Sequence, residues 1–345
     1  MKYVFVNDNN FEDIFGVSAK YEQREYVKHH VFDMVNNYVA VINERYLPLP
    51  FLVYKEEKLI AYVQLNYYEQ TSIYDICKLI VHETEQNKGY GTYILEDVIR
   101  WIQSNCESGT ITSTYNKNNL LADKLFSKFG FEKKENEEQV CLSFSFFGEA
   151  KYDVKGFESI PYTNVGEMVL KLKKEKRIPE CLIGNPEKIN FKRIDEESSS
   201  ILIEMCTTEE QEDFVMPFVD SLASAYSEFF EKEVTVAYAL CDGNKTVGLI
   251  EIAFVNGEEF PGFQNKNVYE LFRLIVDKKY QKQGYGKKAV ELFLDYVEKK
   301  PLGEADVIVL SVVEGNDVAY QLYEKCGFQY FGRDKYQYRA MKKSI

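Results

Sequence analysis

One segment of this chain occurs twice, 195 positions apart: YDICKLIVHETEQNKGYG beginning at Tyr74 and YELFRLIVDKKYQKQGYG beginning at Tyr269. The copies align without a gap and share the leading tyrosine, a Leu-Ile-Val run, a glutamine and Gly-Tyr-Gly. In each, an apolar run of β character leads into a glycine turn and then into a helical pattern. A repeat of this kind implies two related domains, each with a turn whose backbone amides can receive an anion.

The length agrees, because 345 residues exceed the comfortable size of one hydrophobic core. With 45% hydrophobic and 28% charged residues the composition is that of a folded soluble protein. No apolar run is long enough to span a bilayer, so no membrane partner is expected, and the opening MKYVFVNDNN turns polar too soon for a secretory signal. Seven cysteines are widely scattered and three histidines do not complement them, so no metal site is expected and a reduced, cytoplasmic protein is the simplest account. A formal charge of -13 argues against nucleic acid as a partner. Its distribution says more. Residues 201–260 hold 13 acidic and 2 basic side chains, whereas residues 271–290 hold 6 basic and 1 acidic. An acidic region attracts a cation and a basic one a phosphate-bearing ligand, which suits an enzyme that joins an amine to a nucleotide cofactor.

Periodicity gives both halves one order of elements. In the first, a helical pattern over 21–46 precedes two strands from Phe51, the shared segment, a helix over 92–103, a strand from Gly109, a helix over 118–129 and a strand over 139–147. In the second, a strand ILIEM from Ile201 and a helix over 213–230 precede strands VTVAYAL and TVGLIEIAFV. The shared segment follows, then a helix over 287–299, strand VIVLSVV from Val307, a helix over 316–325 and a terminal strand. The expectation is an α/β (α+β, mixed-sheet) chain with domains at 1–150 and 199–345, joined by a linker over 151–198 that contains a helix over 165–177.

The chemistry centres on Gln281-Lys282-Gln283-Gly284-Tyr285-Gly286, where a strand ends and a helix begins. Glycines there allow a tight turn, and the free N–H groups of the first helical turn point outward with the positive end of the helix dipole. Thirty residues after Gly286 begins Asn316-Asp317-Val318-Ala319-Tyr320-Gln321-Leu322-Tyr323, followed by Gly327-Phe328. With this combination the chain resembles the GNAT superfamily of acetyl-CoA-dependent N-acetyltransferases, in the core of both halves. The stretches Gln211 to Val215 and Ser221 to Tyr226, with DKKYQ at Asp277, look like bacterial members of the spermine/spermidine type. The chain departs from that type at Lys282, where glycine is common, and at Pro217-Phe218, where Pro-Asn is.

The resemblance implies two tandem acyl-CoA N-acyltransferase domains with acetyl-CoA as co-substrate. It places the pyrophosphate at Gln283, Gly284, Gly286 and their neighbours Gln281, Lys282, Tyr285 and Lys287, with Asn316 nearby, and pantetheine on the backbone of Leu274 and Val276. It gives Tyr323 the role of protonating the departing thiolate. An amine acceptor carries a proton near neutrality, with a pKa of about 10.4 as in lysine, so a base is needed. The resemblance makes Glu270 the candidate, because histone-type members of the superfamily place a base glutamate eleven residues before the turn glutamine, here Gln281, and strand alternation puts it on one face with Phe272 and Leu274. Proton removal through water and other acids is the alternative. In the first copy Gln86, Gly89 and Gly91 form a possible second cofactor site and Asp75 matches Glu270, but Phe126 stands at the position of Tyr323. Phenylalanine cannot donate a proton, so the first domain reads as degenerate and the second as catalytic. The partner expected is a small-molecule amine; the acidic segment points to a cationic one such as a polyamine, and an aminoglycoside, a peptide N-terminus or a lysine side chain satisfies the same electrostatics. A non-catalytic acyl-CoA sensor or interaction scaffold is the rival reading.

Overall fold

A computed structural model describes residues 1–7, 9–26, 29–148, 152, 154–160, 165–228 and 233–345. The chain forms two compact units, Met1–Asp33 with Asn43–Val169, and Met34–Ile42 with Leu170–Ile345.

The first unit is built on a seven-stranded sheet, ordered β1 (Lys2–Phe5), β2 (Leu47–Lys55), β3 (Lys58–Tyr68), β4 (Ile73–Val81), β5 (Ser108–Asn116), β7 (Gln139–Phe147) and β6 (Glu132–Glu135). Neighbours are antiparallel except β4 and β5. A parallel pair needs a crossover, which helix α2 (Tyr90–Asn105) supplies. Helix α3 (Leu120–Phe126) joins β5 to β6, and α1 (His30–Ile42) precedes β2.

The second unit repeats this plan in eight strands, ordered β14 (Gln329–Arg333), β15 (Arg339–Ser344), β13 (Val307–Val312), β12 (Asn267–Val276), β11 (Lys245–Asn256), β10 (Val234–Asp242), β9 (Ile189–Arg193) and β8 (Leu182–Gly184). Its parallel pair is β12 with β13, bridged by α7 (Tyr285–Val297). Helix α7 buries Ala289, Val290, Phe293, Tyr296 and Val297, one stripe at helical spacing, on a sheet face that includes Tyr269 and Leu271. Helix α8 (Asp317–Lys325) packs against the same core through Ala319, Leu322 and Tyr323. The opposite face carries Ala253, Val255, Val268 and Val309.

Several expectations are corrected. The stretch from Ile201, expected as a strand, is the end of helix α5 (Glu196–Ile203). Asp195 starts that helix, since its Oδ1 accepts from the Ser198 N–H at 2.8 Å while Ser198 Oγ accepts from the Asp195 N–H at 2.9 Å, a reciprocal cap. The first helix is shorter than 21–46, because Tyr21–Gln23 forms a separate 3-10 turn. Residues 182–193, expected within a linker, form the outer strands β8 and β9 of the second sheet. Helix α4 (Val165–Lys174) lies where a helix was expected, and α6 (Phe218–Ser227) occupies the middle of 213–230, of which 229–230 lie outside the described residues. Among the described residues, no helix is long and apolar enough to cross a membrane.

Candidate functional site

Strands β12 and β13 pair at Tyr269↔Ile308 and Glu270↔Val309 only. Beyond Glu270, β12 continues to Val276 with no strand paired on that side among the described residues. The middle of the sheet is therefore open along β12 from Leu271 to Val276. The first unit repeats the opening, with β4 and β5 paired only from Ile73↔Thr110 to Asp75↔Thr112.

A bulge lies beside each gap. Pairing of β12 with β11 shifts from Leu271↔Ile252 to Arg273↔Glu251, leaving Phe272 as the extra residue. In β4 the extra residue is Cys77, between Ile76↔Leu65 and Lys78↔Gln64. This corrects the expected alternation. Tyr269, Leu271 and Leu274 all pack toward α7, so Glu270 leaves the strand on the other face with Arg273 and does not share a face with Leu274.

At the end of β12 the motif residues gather in one turn. Gly284 adopts φ +84° as the N-cap of α7, and a Cβ built there would meet nothing within 4 Å. The space before the helix N-terminus is thus open to an anion. Lys282 also takes a left-handed φ of +61°, which accounts for glycine being common at this position in the resembling type, and it makes no ion pair among the described residues. A Cβ on Gly286 would sit 3.4 Å from Leu322, so the small residue suits the close approach of α8. Tyr285 donates to Asp242 at 2.9 Å, Lys287 pairs with Glu291 at 3.5 Å, and Gln283 turns back to the Lys279 carbonyl at 3.1 Å. Two motif side chains brace the fold. Gln281 donates to the Val276 carbonyl at 2.9 Å and to Gln211 at 2.7 Å, and Asn316 caps α8 by accepting from the Ala319 N–H at 3.2 Å.

Tyr323 lies on α8, on the α7 side of the sheet, partly buried and edge-on to Phe328 with centroids 6.0 Å apart. Burial, then Cys326, pushes its phenol above the ordinary value, so it keeps its proton. Its hydroxyl has no hydrogen-bond partner among the described residues. Glu270 lies on the opposite face of the sheet. Burial raises its carboxyl to about 8, and Glu259, Glu233 and Asp334 push the same way while Arg273 opposes them.

The first unit differs at the same points. Gln86, Gly89 and Gly91 border a cleft of about 530 Å3 that also touches Leu79, Cys77 and Phe126. Phe126 is buried against Tyr115 and Phe131 and brings no hydroxyl. At its glycine turn, Glu85 holds Lys58 at 2.5 Å and Lys88 at 2.9 Å, and those bonds lower its carboxyl to about 2. Its counterpart in the second unit is Tyr280, whose ring lies 4.2 Å from the Lys245 ammonium, so no carboxylate stands at that position. Asp75 accepts from Thr112 at 2.7 Å and from the Cys77 thiol at 3.2 Å, whereas Glu270 makes no hydrogen bond or ion pair among the described residues.

The motif pointed to the turn, to Tyr323 and to Glu270. Arg273 with Glu251 and Glu228, and the carboxylates Glu233, Glu259 and Asp334 around Glu270, were missed. The signal was the acidic excess of residues 201–260, which supplies all of these carboxylates but Asp334. Among the described residues, no group of three or more His, Cys, Asp or Glu side chains is placed to hold a metal ion.

Two splayed sheets, each with a bulged strand running into a glycine turn, are the frame of an acyltransferase that takes its acyl group from a nucleotide thioester. The chain belongs to the acetyltransferase (GNAT) family, whose model matches residues 12–131 and 203–328. It is an acetyl-CoA-dependent N-acetyltransferase with two such domains in tandem. It is similar to the probable spermine N(1)-acetyltransferase of Bacillus subtilis subsp. natto (strain BEST195), at 27% identity over 148 residues, 42% of this chain and 90% of the relative. The spermine/spermidine N(1)-acetyltransferase of Bacillus subtilis (strain 168) is 26% identical over the same shares. Among solved structures, the spermidine N-acetyltransferase from Vibrio cholerae in complex with CoA and spermine matches 41% of this chain and 92% of its own, at 13% identity and a TM-score of 0.33.

Proposed function

We propose that the second unit acetylates a primary amine of a small, cationic molecule, and that a polyamine is the class of acceptor. One observation supports this reading: Glu270, the last residue of β12 paired with β13, and Tyr323 on α8 lie on opposite faces of the sheet. An amine and a leaving sulfur held in the gap between β12 and β13 have a base on one side and an acid on the other.

Acetyl-CoA supplies an activated thioester. The α7 N-terminus with Gly284 and Lys282 suits its pyrophosphate, and the unpaired backbone of β12 suits its amide-bearing arm as an added strand would. In this reading backbone N–H groups near Leu274 polarise the carbonyl oxygen. Glu270, with a pKa of about 8, takes the proton from the incoming ammonium, and a base poised near the working pH is the efficient choice. Tyr323 gives its proton to the departing sulfur. Glu233, Glu259 and Asp334 around Glu270 favour a cation, which agrees with the acceptors in the names of the bacillar relatives. All seven cysteines are free, which suits a reducing compartment such as the cytoplasm.

The test is thiol release from acetyl-CoA over spermine, spermidine, an aminoglycoside and a peptide amine. Polyamines should give the highest kcat/KM, and Tyr323→Phe should lower kcat by about 100-fold or more with little change in melting temperature. A Tyr323→Phe enzyme with undiminished turnover would remove the tyrosine from the mechanism. The cleft beside Gly89 and the absence of an acid at Phe126 favour a second reading for the first unit alone, cofactor binding without turnover.

A further inference from the structure

The strand that carries Glu270 also carries a buried cation that the family motif does not call for. Arg273 follows the bulge at Phe272 and leaves β12 on Glu270's face. Its Nη1 donates to Glu251 Oε2 at 2.5 Å and to Ser224 Oγ at 3.2 Å, lies 3.7 Å from Glu228 Oε1, and its guanidinium stands 4.4 Å from the centre of the Phe272 ring. Glu251 is fully buried, and its Oε1 has no hydrogen-bond partner among the described residues. Burial opposes the charge on Arg273, but Glu251 and Glu228 outweigh it and hold the guanidinium's pKa above its ordinary value.

Such a cluster is a poor way to gain stability, because desolvating buried ions offsets most of their attraction and apolar side chains of similar volume serve as well. What lies beside it gives it a purpose. The groups acting on Glu270 are Glu233 at the start of β10, Glu259 after β11 with its partner Lys335, Asp334 after β14, and Arg273 on its own strand. Among the described residues, Arg273 is the cation that lowers the Glu270 carboxyl, yet it spends its hydrogen bonds on Glu251 and Ser224. We propose that the Glu251–Arg273–Glu228 cluster is a positioning device: it holds the guanidinium near Glu270 while denying it a direct ion pair, so the carboxyl stays free to take the amine's proton. This rests on reading Glu270 as the base.

The repeat supplies a comparison. In the first unit Lys78 occupies the place of Arg273, but its register partner is the neutral Gln64, and it pairs with Asp33 at 2.6 Å. There Asp75 is hydrogen-bonded to Thr112 and Cys77. The charged partner on the neighbouring strand occurs only in the unit whose carboxyl is unengaged.

The test follows the titration of Glu270 in the full chain by carbon NMR of δ-13C-glutamate, with Glu270→Gln for assignment. Glu251→Gln releases the guanidinium toward Glu270 and should lower the midpoint by about one pH unit, whereas Arg273→Gln should raise it by about as much. If Arg273→Gln does not fold, Glu251→Gln combined with Arg273→Gln keeps the buried charge in balance, and its midpoint should lie above that of Glu251→Gln alone. Shifts that are absent or run in one direction overturn the proposal. Undiminished turnover of acetyl-CoA and spermine by Glu270→Gln would overturn the base assignment, and the cluster's purpose with it.

Discussion

Glu270 carries the sharpest consequence at the scale of one residue. An unfolded glutamate titrates near ~4.3. In the fold its pKa rises to about 8, by burial first and then by Glu259, Glu233 and Asp334. Below the unfolded value both states are protonated and this group leaves stability unchanged. Between that value and about 8 the unfolded glutamate ionises while the folded carboxyl keeps its proton, so stability is lost across that window and levels off above it. Glu270→Gln should therefore be more stable than wild type at pH 9, by on the order of a few kcal/mol, with the difference gone near pH 4. Urea denaturation at the two pH values measures it, and a variant destabilised at both would contradict it. Activity should run the other way, falling as pH drops below about 8 because the base is then protonated.

At the scale of elements, the second unit depends on chain that its repeat does not predict. Strand β9 places Phe191 in the core with no exposure, and Tyr38, from helix α1, accepts from the Ala237 N–H at 3.1 Å and donates to the Ala237 carbonyl at 3.3 Å. Burying Phe191 alone is worth about 2 kcal/mol. A fragment starting at residue 199 lacks both and should fail to unfold cooperatively when followed by circular dichroism, whereas a melting transition like that of the full chain would show β8, β9 and α1 to be dispensable. The elements legible in the sequence are those with strong periodicity, such as β7, β11 and α7. Edge strands β1, β6, β8 and β14 were not, since Lys2–Phe5 and Glu132–Glu135 are short and the second is exposed throughout, without apolar alternation. Helix α5 was misread because ILIE is apolar enough for a strand, while the signal that decides it, Asp195 three residues before Ser198, lies upstream. The bulge at Phe272 leaves no mark in residue types, so the face of Glu270 relative to Leu274 needed the pairing register.

For the whole molecule, one ancestral plan has been used twice with different outcomes. The first unit keeps the splay, the glycine turn and a cleft, but it has Phe126 for Tyr323, Asp75 engaged by neighbours, and turn lysines tied to Glu85. The second keeps an acid, an unengaged carboxyl and turn lysines with no carboxylate at the position of Glu85. The uneven charge of the sequence was the early sign of this division, because its acidic part supplies Glu233 and Glu259 beside Glu270 and its basic part includes the turn. The claim that catalysis belongs to the second unit is tested most directly by matched substitutions at the two turns. Gly89 and Gly284 have nearly the same backbone, φ +83° and +84°, with open space at each, so leucine brings the same strain of about 1–2 kcal/mol to both. Thiol release and CoA stoichiometry are then measured on the full chain. Gly284→Leu should abolish turnover while the first site still binds CoA, and Gly89→Leu should lose that site and keep turnover. Loss of turnover in Gly89→Leu with activity retained in Gly284→Leu would contradict the assignment.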